Sequence, residues 1–315
     1  MPDYDRLWKE VITELFEDFL LFFAPELYEH IDFSKPPLSL EQELNHIYPK
    51  ADSKDREIDK LVAVQLKNGD EKWILVHVEV QGKRDGDFSE RMFQYFYRVF
   101  DKYNKKLYTL ALYTDDSPTF CPNTYNYSFF GTELAYTFNT YKILQQEENE
   151  LLQSNNPFAL AILAGLYVLK AKRKQNNKYR YKITLMKMLL KEVGIPREKA
   201  HKLLIFIDHI IELPEEQTEQ LVIEISPFIE KEDLTMALTM DDTSFARYYK
   251  KIGREEGREE GREEGREEGR EKGIAEGRKE EKKETARKML EMGIGLDVIE
   301  KVTGLNRDEI ENLNR

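Results

Sequence analysis

The spacing of apolar residues changes along the chain and divides it into blocks. Leu7, Val11, Leu15, Phe19 and Phe22 recur at helical spacing, which predicts an amphipathic helix over 4–23 that Pro25 ends or interrupts. After the Pro36-Pro37 break a short helix is expected near Leu40 to Ile47. The period then becomes two. Leu61-Val62-Ala63-Val64 and Trp73-Ile74-Leu75-Val76-His77-Val78-Glu79-Val80 flank Lys67-Asn68-Gly69-Asp70, and Asn-Gly between strand-like runs predicts a hairpin over about 58–81. A helix from Phe88 to about Tyr103 follows, with Met92, Tyr95, Phe96, Val99 and Phe100 on its apolar side. Leu107 to Tyr113 reads as a third strand, stopped by Asp115-Asp116-Ser117-Pro118, and Tyr125 to Phe138 as one or two more. From 142 to 250 the pattern is helical, broken near Asn155-Asn156-Pro157, Gln175-Asn176-Asn177, Gly194-Ile195-Pro196 and Leu213-Pro214. This order predicts an α/β fold, a mixed sheet flanked by helices, followed by a helical subdomain.

Two acids interrupt the most β-like part of the chain. Asp59 opens the first run and Glu79 lies inside the second. Acids are poor strand formers and costly inside a sheet, so their presence calls for a role, and joint ligation of a divalent cation is the simplest. His77, Glu79 and Gln81 alternate with Val76, Val78 and Val80, which puts a polar set and an aliphatic set on opposite faces of the strand. A three-residue hairpin loop pairs 59 with 79 and a two-residue loop pairs 59 with 78; the pattern leaves both open. Two carboxylates and a backbone carbonyl suit Mg²⁺, with Mn²⁺ as a substitute, and such an ion activates water against a phosphate. The alternative is a solvated strand face with two ordinary acids.

Asp59, then Glu79-Val80-Gln81 about twenty residues on, resembles the Asp…Glu-x-Lys core of the PD-(D/E)XK nucleases, with Gln81 in the Lys position. The surroundings resemble one branch, the recombination-promoting nuclease (Rpn), YhgA-like transposase family. The similar stretches include Trp8-Lys9-Glu10-Val11-Ile12, Phe16-Glu17-Asp18-Phe19, Phe22-Phe23-Ala24-Pro25, His30-Ile31-Asp32, Leu40-Glu41-Gln42-Glu43-Leu44 and His77-Val78-Glu79-Val80-Gln81. Phe88-Ser89-Glu90-Arg91-Met92-Phe93-Gln94-Tyr95 and Asn156-Pro157-Phe158-Ala159 complete the set. The resemblance implies a restriction-endonuclease-like core over 1–141 and Mg²⁺-dependent endonucleolytic hydrolysis of DNA in recombination. Asp59 and Glu79 would be the metal ligands, Gln81 would position water or phosphate, and Lys83 or Arg91 would supply positive charge. Glu43 and Glu10 are candidates for a third acid. Arg91 and Tyr95, one helical turn apart, match positions expected to meet DNA. Ile58-Asp59 in place of Pro-Asp, and Gln81 in place of Lys, are departures that leave room for a catalytically degenerate DNA- or protein-binding module.

Composition narrows the partners. The chain has 315 residues, of which 40% are hydrophobic and 34% charged, and lacks a run of about eighteen apolar residues, so a cytoplasmic protein with no membrane span is expected. Its single cysteine excludes an internal disulfide and any Cys-based zinc cluster. A net charge of −12 argues against a general nucleic-acid binder. The segment Lys170 to Lys191 runs the other way, with nine basic residues and no acid. Lys172, Arg173, Lys174, Lys178 and Arg180, with Tyr179 and Tyr181 interleaved, form a strip that could follow a phosphate backbone or be a solvated helical surface.

The segment 251–284 is a Gly-Arg-Glu-Glu repeat, with glycines at 253, 257, 261, 265, 269, 273 and 277. Seven glycines cost a helix about 5–7 kcal/mol relative to Ala, so a marginal helix or partly disordered spacer is expected. Residues 285–315 form three short helical segments with Gly turns that resemble a helix-turn-helix. Asp308, Glu309 and Glu311 occupy its recognition position, which favours a protein contact or homo-oligomer over DNA reading.

Overall fold

The computed structural model describes residues 4–40, 60–67, 74–173, 177–191, 195–228 and 243–314. They divide into two compact units, 1–247 and 248–315. The first opens with α1 (Tyr4–Glu14), α2 (Phe16–Phe23) and α3 (Pro25–His30). The single helix expected over 4–23 is interrupted at Leu15, and Pro25 starts a new helix at its first turn, where its missing N–H costs nothing. The short helix expected near Leu40 to Ile47 lies, past Leu40, outside the described residues.

Five strands make one mixed sheet in the order β1-β2-β3-β4-β7. They are β1 (Leu38–Ser39), β2 (Lys60–Val64), β3 (Ile74–Gln81), β4 (Leu107–Tyr113) and β7 (Asn139–Lys142). Strand β2 runs antiparallel to both β1 and β3, whereas β3, β4 and β7 are parallel. The β2–β3 ladder pairs Lys60 with Val78 and Val64 with Ile74, the register that a three-residue loop requires. A parallel step from β3 to β4 needs a crossover, and α4 (Phe88–Tyr103) supplies it, capped by Asn104 in the left-handed conformation. A separate two-stranded ribbon, β5 (Thr124–Phe129) and β6 (Thr132–Thr137), precedes β7. Strand β7 carries no apolar alternation of its own, so the sequence pattern leaves 139–141 unassigned and begins the helical block at 142, which the structure places in the strand.

Both faces of the sheet are buried. On one, Leu61 and Ala63 pack with Tyr95 and Val99 of α4, while Ala111 and Tyr113 pack with its Phe88 and Met92. Val62, Val76, Val78, Val80, Leu110 and Leu112 are buried on the other, the side on which α1 meets β3. The helical part contains α5 (Glu148–Leu152), α6 (Phe158–Arg173), α7 (Lys178–Lys191), α8 (Arg197–Ile210) and α9 (Glu215–Ile225). Gly165 in α6 is required by close approach, because a Cβ there would stand 2.7 Å from the Trp8 ring.

A buried ion pair joins α7 to α8. Lys182 Nζ lies 2.8 Å from Asp208, whose carboxylate also accepts bonds from the backbone N–H (2.7 Å) and the hydroxyl of Ser244. Burial alone would raise the Asp208 carboxyl, but Lys182 and Ser244 outweigh it and hold it below the ordinary value of 3.8. A depressed folded-state value stabilises the fold above the unfolded-state value, and that contribution is lost as pH falls through the folded one. Asp208→Ala leaves the Lys182 ammonium buried without its carboxylate and is expected to cost about 3–5 kcal/mol in urea unfolding at pH 7. The deficit should shrink below about pH 4, where wild type loses the same contribution.

Candidate active site

The middle of the sheet carries three polar side chains in a row. His77, Glu79 and Gln81 share one face of β3 and are all buried beneath α4. The opposite face of the strand is aliphatic, as the alternation predicts. His77 Nε2 lies 3.1 Å from Glu79 Oε1. Helix α4 runs back over the row, so that Arg91 lies over Gln81 and Tyr95 over His77. Arg91 Nη2 donates to Gln81 Oε1 at 2.9 Å, and the Tyr95 ring meets the imidazole edge-on at 5.7 Å and 80°. A helix whose residues 91 and 95 face the same way is what this pairing needs.

Gln81 is engaged at both ends. Its amide N–H donates to the Lys83 carbonyl while its oxygen accepts from Arg91, which also pairs with Asp85 and lies 5.1 Å over the Phe88 ring. The side chain of Arg91 keeps an edge in solvent, and that of Lys83 is exposed. Nearby, at the carboxyl end of the parallel strands, Arg84 donates to the Ser117 hydroxyl at 2.7 Å and Lys142 forms a buried ion pair with Asp115. Burial, with Cys121 and Asp115 adding and Arg91 opposing, raises the Tyr113 hydroxyl well above its ordinary value, so it stays a neutral donor to the Pro122 carbonyl. Carboxyl ends of parallel strands are where open α/β sheets place ligands. Asp85, Arg84 and Ser117 are not singled out by the sequence pattern, since loop residues carry no periodic signal.

Other expected site residues are distributed differently. Asp59, Glu43, Lys174 and the side chain of Arg173 lie outside the described residues. Among those described, no group of three His, Cys, Asp or Glu is placed to hold a metal ion; Glu79 brings one buried carboxylate oxygen pair, the donor type that Mg²⁺ selects. Glu10 is exposed and paired with Arg6 at 2.7 Å, in a cleft of about 520 Å³ to which β3 contributes no residue. Tyr95 is 1% exposed and packed in the core, where its ring lies against His77. In the basic strip, Lys170 pairs with Glu148, Lys182 with Asp208 and Lys187 with Glu224, while Tyr179 donates to Glu224 and Tyr181 stacks on Tyr167. Three of the strip's cations are thus ion-paired, and Lys172, Lys178 and Arg180 stay at the surface.

In the second unit, α10 (Ser244–Glu291) runs continuously through the repeat, its glycines facing open space. A spacer of marginal helicity was expected; the Arg, Glu and Lys between the glycines are good helix formers, and pairs such as Lys288–Glu284 at 3.0 Å add to them. Then come α11 (Leu296–Thr303), a left-handed turn at Gly304, and α12 (Arg307–Glu311), closed over Ala286, Ile299, Leu305 and Ile310. Two of the acids are used locally. Glu309 completes a capping box with Asn306 (2.8 and 3.0 Å), and Asp297 pairs with Arg307.

Residues 279–315 match the profile described as Rpn/YhgA-like nuclease family, C-terminal HTH domain. The match covers the tail alone; it supports kinship with a nuclease family and gives the tail a helix-turn-helix form, which suggests DNA binding. No significant match was found among curated proteins or among solved structures. No helix among the described residues is long and apolar enough to cross a membrane.

The row on β3 makes a stability prediction. Glu79→Gln keeps an acceptor for His77, whereas Glu79→Ala removes it from a buried site and is expected to cost about 1–3 kcal/mol more in thermal or urea unfolding. Equal stability of the two variants would show that the pair is not an energetic unit.

Proposed function

We propose that the chain is a metal-dependent DNA endonuclease of the restriction-enzyme-like fold, in which Glu79 and Asp59 hold Mg²⁺ or Mn²⁺. The observation that carries this reading is a carboxylate buried on the central strand and bonded to a histidine, two residues along the strand from a glutamine that a partly exposed arginine holds, toward the carboxyl end of parallel strands. The helix-turn-helix tail supports DNA as the partner.

The chain's own residues divide the work. His77, held by the Tyr95 ring, donates from Nε2 to Glu79 and keeps that carboxylate an oriented acceptor. Asp85 and Gln81 fix the Arg91 guanidinium, whose exposed edge binds a phosphate oxygen and offsets charge as the bond to phosphorus breaks. A bound divalent cation would lower the pKa of a water and polarise the phosphoryl group. Gln81 acts as a clamp on Arg91 here, since both ends of its amide are engaged.

That same engagement favours a second reading, a DNA-binding module that has lost cleavage. Gln81 carries no charge of its own where the motif has lysine, and the guanidinium bonded to it is shared with Asp85. Supercoiled-plasmid nicking with Mg²⁺ or Mn²⁺ separates the two. The nuclease reading expects wild type to nick and Asp59→Ala and Glu79→Gln to lose activity while still binding DNA. Retarded plasmid with no nicking by wild type under either metal would select the binding module.

A further inference from the structure

The ribbon β5–β6 has one apolar face and one polar face. Its ladder pairs Tyr125 with Tyr136 and Tyr127 with Leu134, placing these with Phe129 on the same side; Asn126, Ser128, Glu133 and Ala135 take the other. The base of the apolar face is seated on α4. Tyr125 stacks on Phe93 at 5.2 Å and 14°, and Tyr136 lies 4.7 Å from Phe96. The outer half has no such cover: Tyr127, Phe129 and Leu134 are exposed. Beside the seated half, α4 exposes Tyr97 and Phe100, which stack on Phe93 and Phe96.

The tip is unusual. Phe130 and Gly131 form a two-residue loop with φ of 43° and 84°, the left-handed pair that normally selects Asn-Gly. A phenylalanine in that conformation is strained, and its ring is 96% exposed. Backbone strain that only presents an aromatic ring to solvent points to a use for the ring.

We propose that this arm binds a second copy of the chain. The outer apolar half of one arm covers Tyr97 and Phe100 of the other copy's α4, reciprocally about a two-fold axis. Three observations select this occupant. The seated half of the ribbon already shows that its apolar face fits the aromatic face of α4. Thr124–Thr137 holds no Lys or Arg and one acid, Glu133, which disfavours a phosphate backbone. The six exposed side chains of arm and helix offer roughly 600–700 Å² per copy, from aromatic areas of about 150–250 Å² each. That is close to the ~800 Å² per partner of a stable interface.

Sedimentation equilibrium of the full chain tests this. Wild type is expected to dimerise. Phe130→Asn suits the turn better, so it should fold at least as well yet weaken the dimer at least tenfold; Tyr97→Lys, on the helix, should do the same. A photoreactive p-benzoylphenylalanine placed at Phe130, in a mixture of isotopically light and heavy chains, is expected to crosslink light to heavy within 93–103. A wild type that stays monomeric at tens of micromolar, a dimer indifferent to both substitutions, or crosslinks confined to one chain or to added DNA would overturn the proposal. These readouts are independent of nuclease activity.

Discussion

A carboxylate buried in the middle of a sheet is the constraint around which the first unit is arranged. Glu79 sits on the central strand with both faces covered, where an isolated charge would be prohibitively costly. The fold answers with a graded set of partners along one face of β3. His77 meets the carboxylate, Tyr95 backs the imidazole, and Gln81 is tied to Arg91, which Asp85 holds from the loop. Helix α4 therefore serves two purposes. Its Met92 and Val99 close the core while its Arg91 and Tyr95 organise the polar row. The parallel β3–β4 crossover is what lets one helix do both, because it returns the chain directly over the strand it has just left.

The second unit relies on different physics. The long helix through the repeat is held by propensity and local ion pairs, with its glycines facing open space. The small domain at its end has a core of its own, Ala286, Ile299, Leu305 and Ile310, a left-handed glycine turn and a capping box. The helix-turn-helix form of the tail suggests DNA as a partner.

Much of this was legible in the residues. Strong periodicity located β3, α4 and β4 closely, and alternation assigned His77, Glu79 and Gln81 to one face. The interruption at Leu15 was not legible, since apolar spacing continues straight through it. Nor was β7, whose Asn139-Thr140-Tyr141-Lys142 joins the sheet through backbone pairing. Partners distant in sequence were not legible: Tyr95 packs with Leu61 and Ala63, and Lys170 and Lys187 pair with acids in α5 and α9. Of the two alternatives the repeat leaves open, helix or disordered spacer, the helix is observed, because the Arg, Glu and Lys between the glycines are good helix formers. Asp59 and Glu43 lie outside the described residues, so the second half of the proposed metal site rests on the sequence pattern.

The most direct test of the central claim is metal binding itself. Electron paramagnetic resonance can follow Mn²⁺ titrated into the full-length chain without DNA. The account predicts one bound ion per chain in wild type, lost in Glu79→Gln while thermal stability is largely kept. Unchanged Mn²⁺ binding in that variant, or none in wild type, would contradict the assignment of Glu79 as a metal ligand and leave its buried row a structural feature.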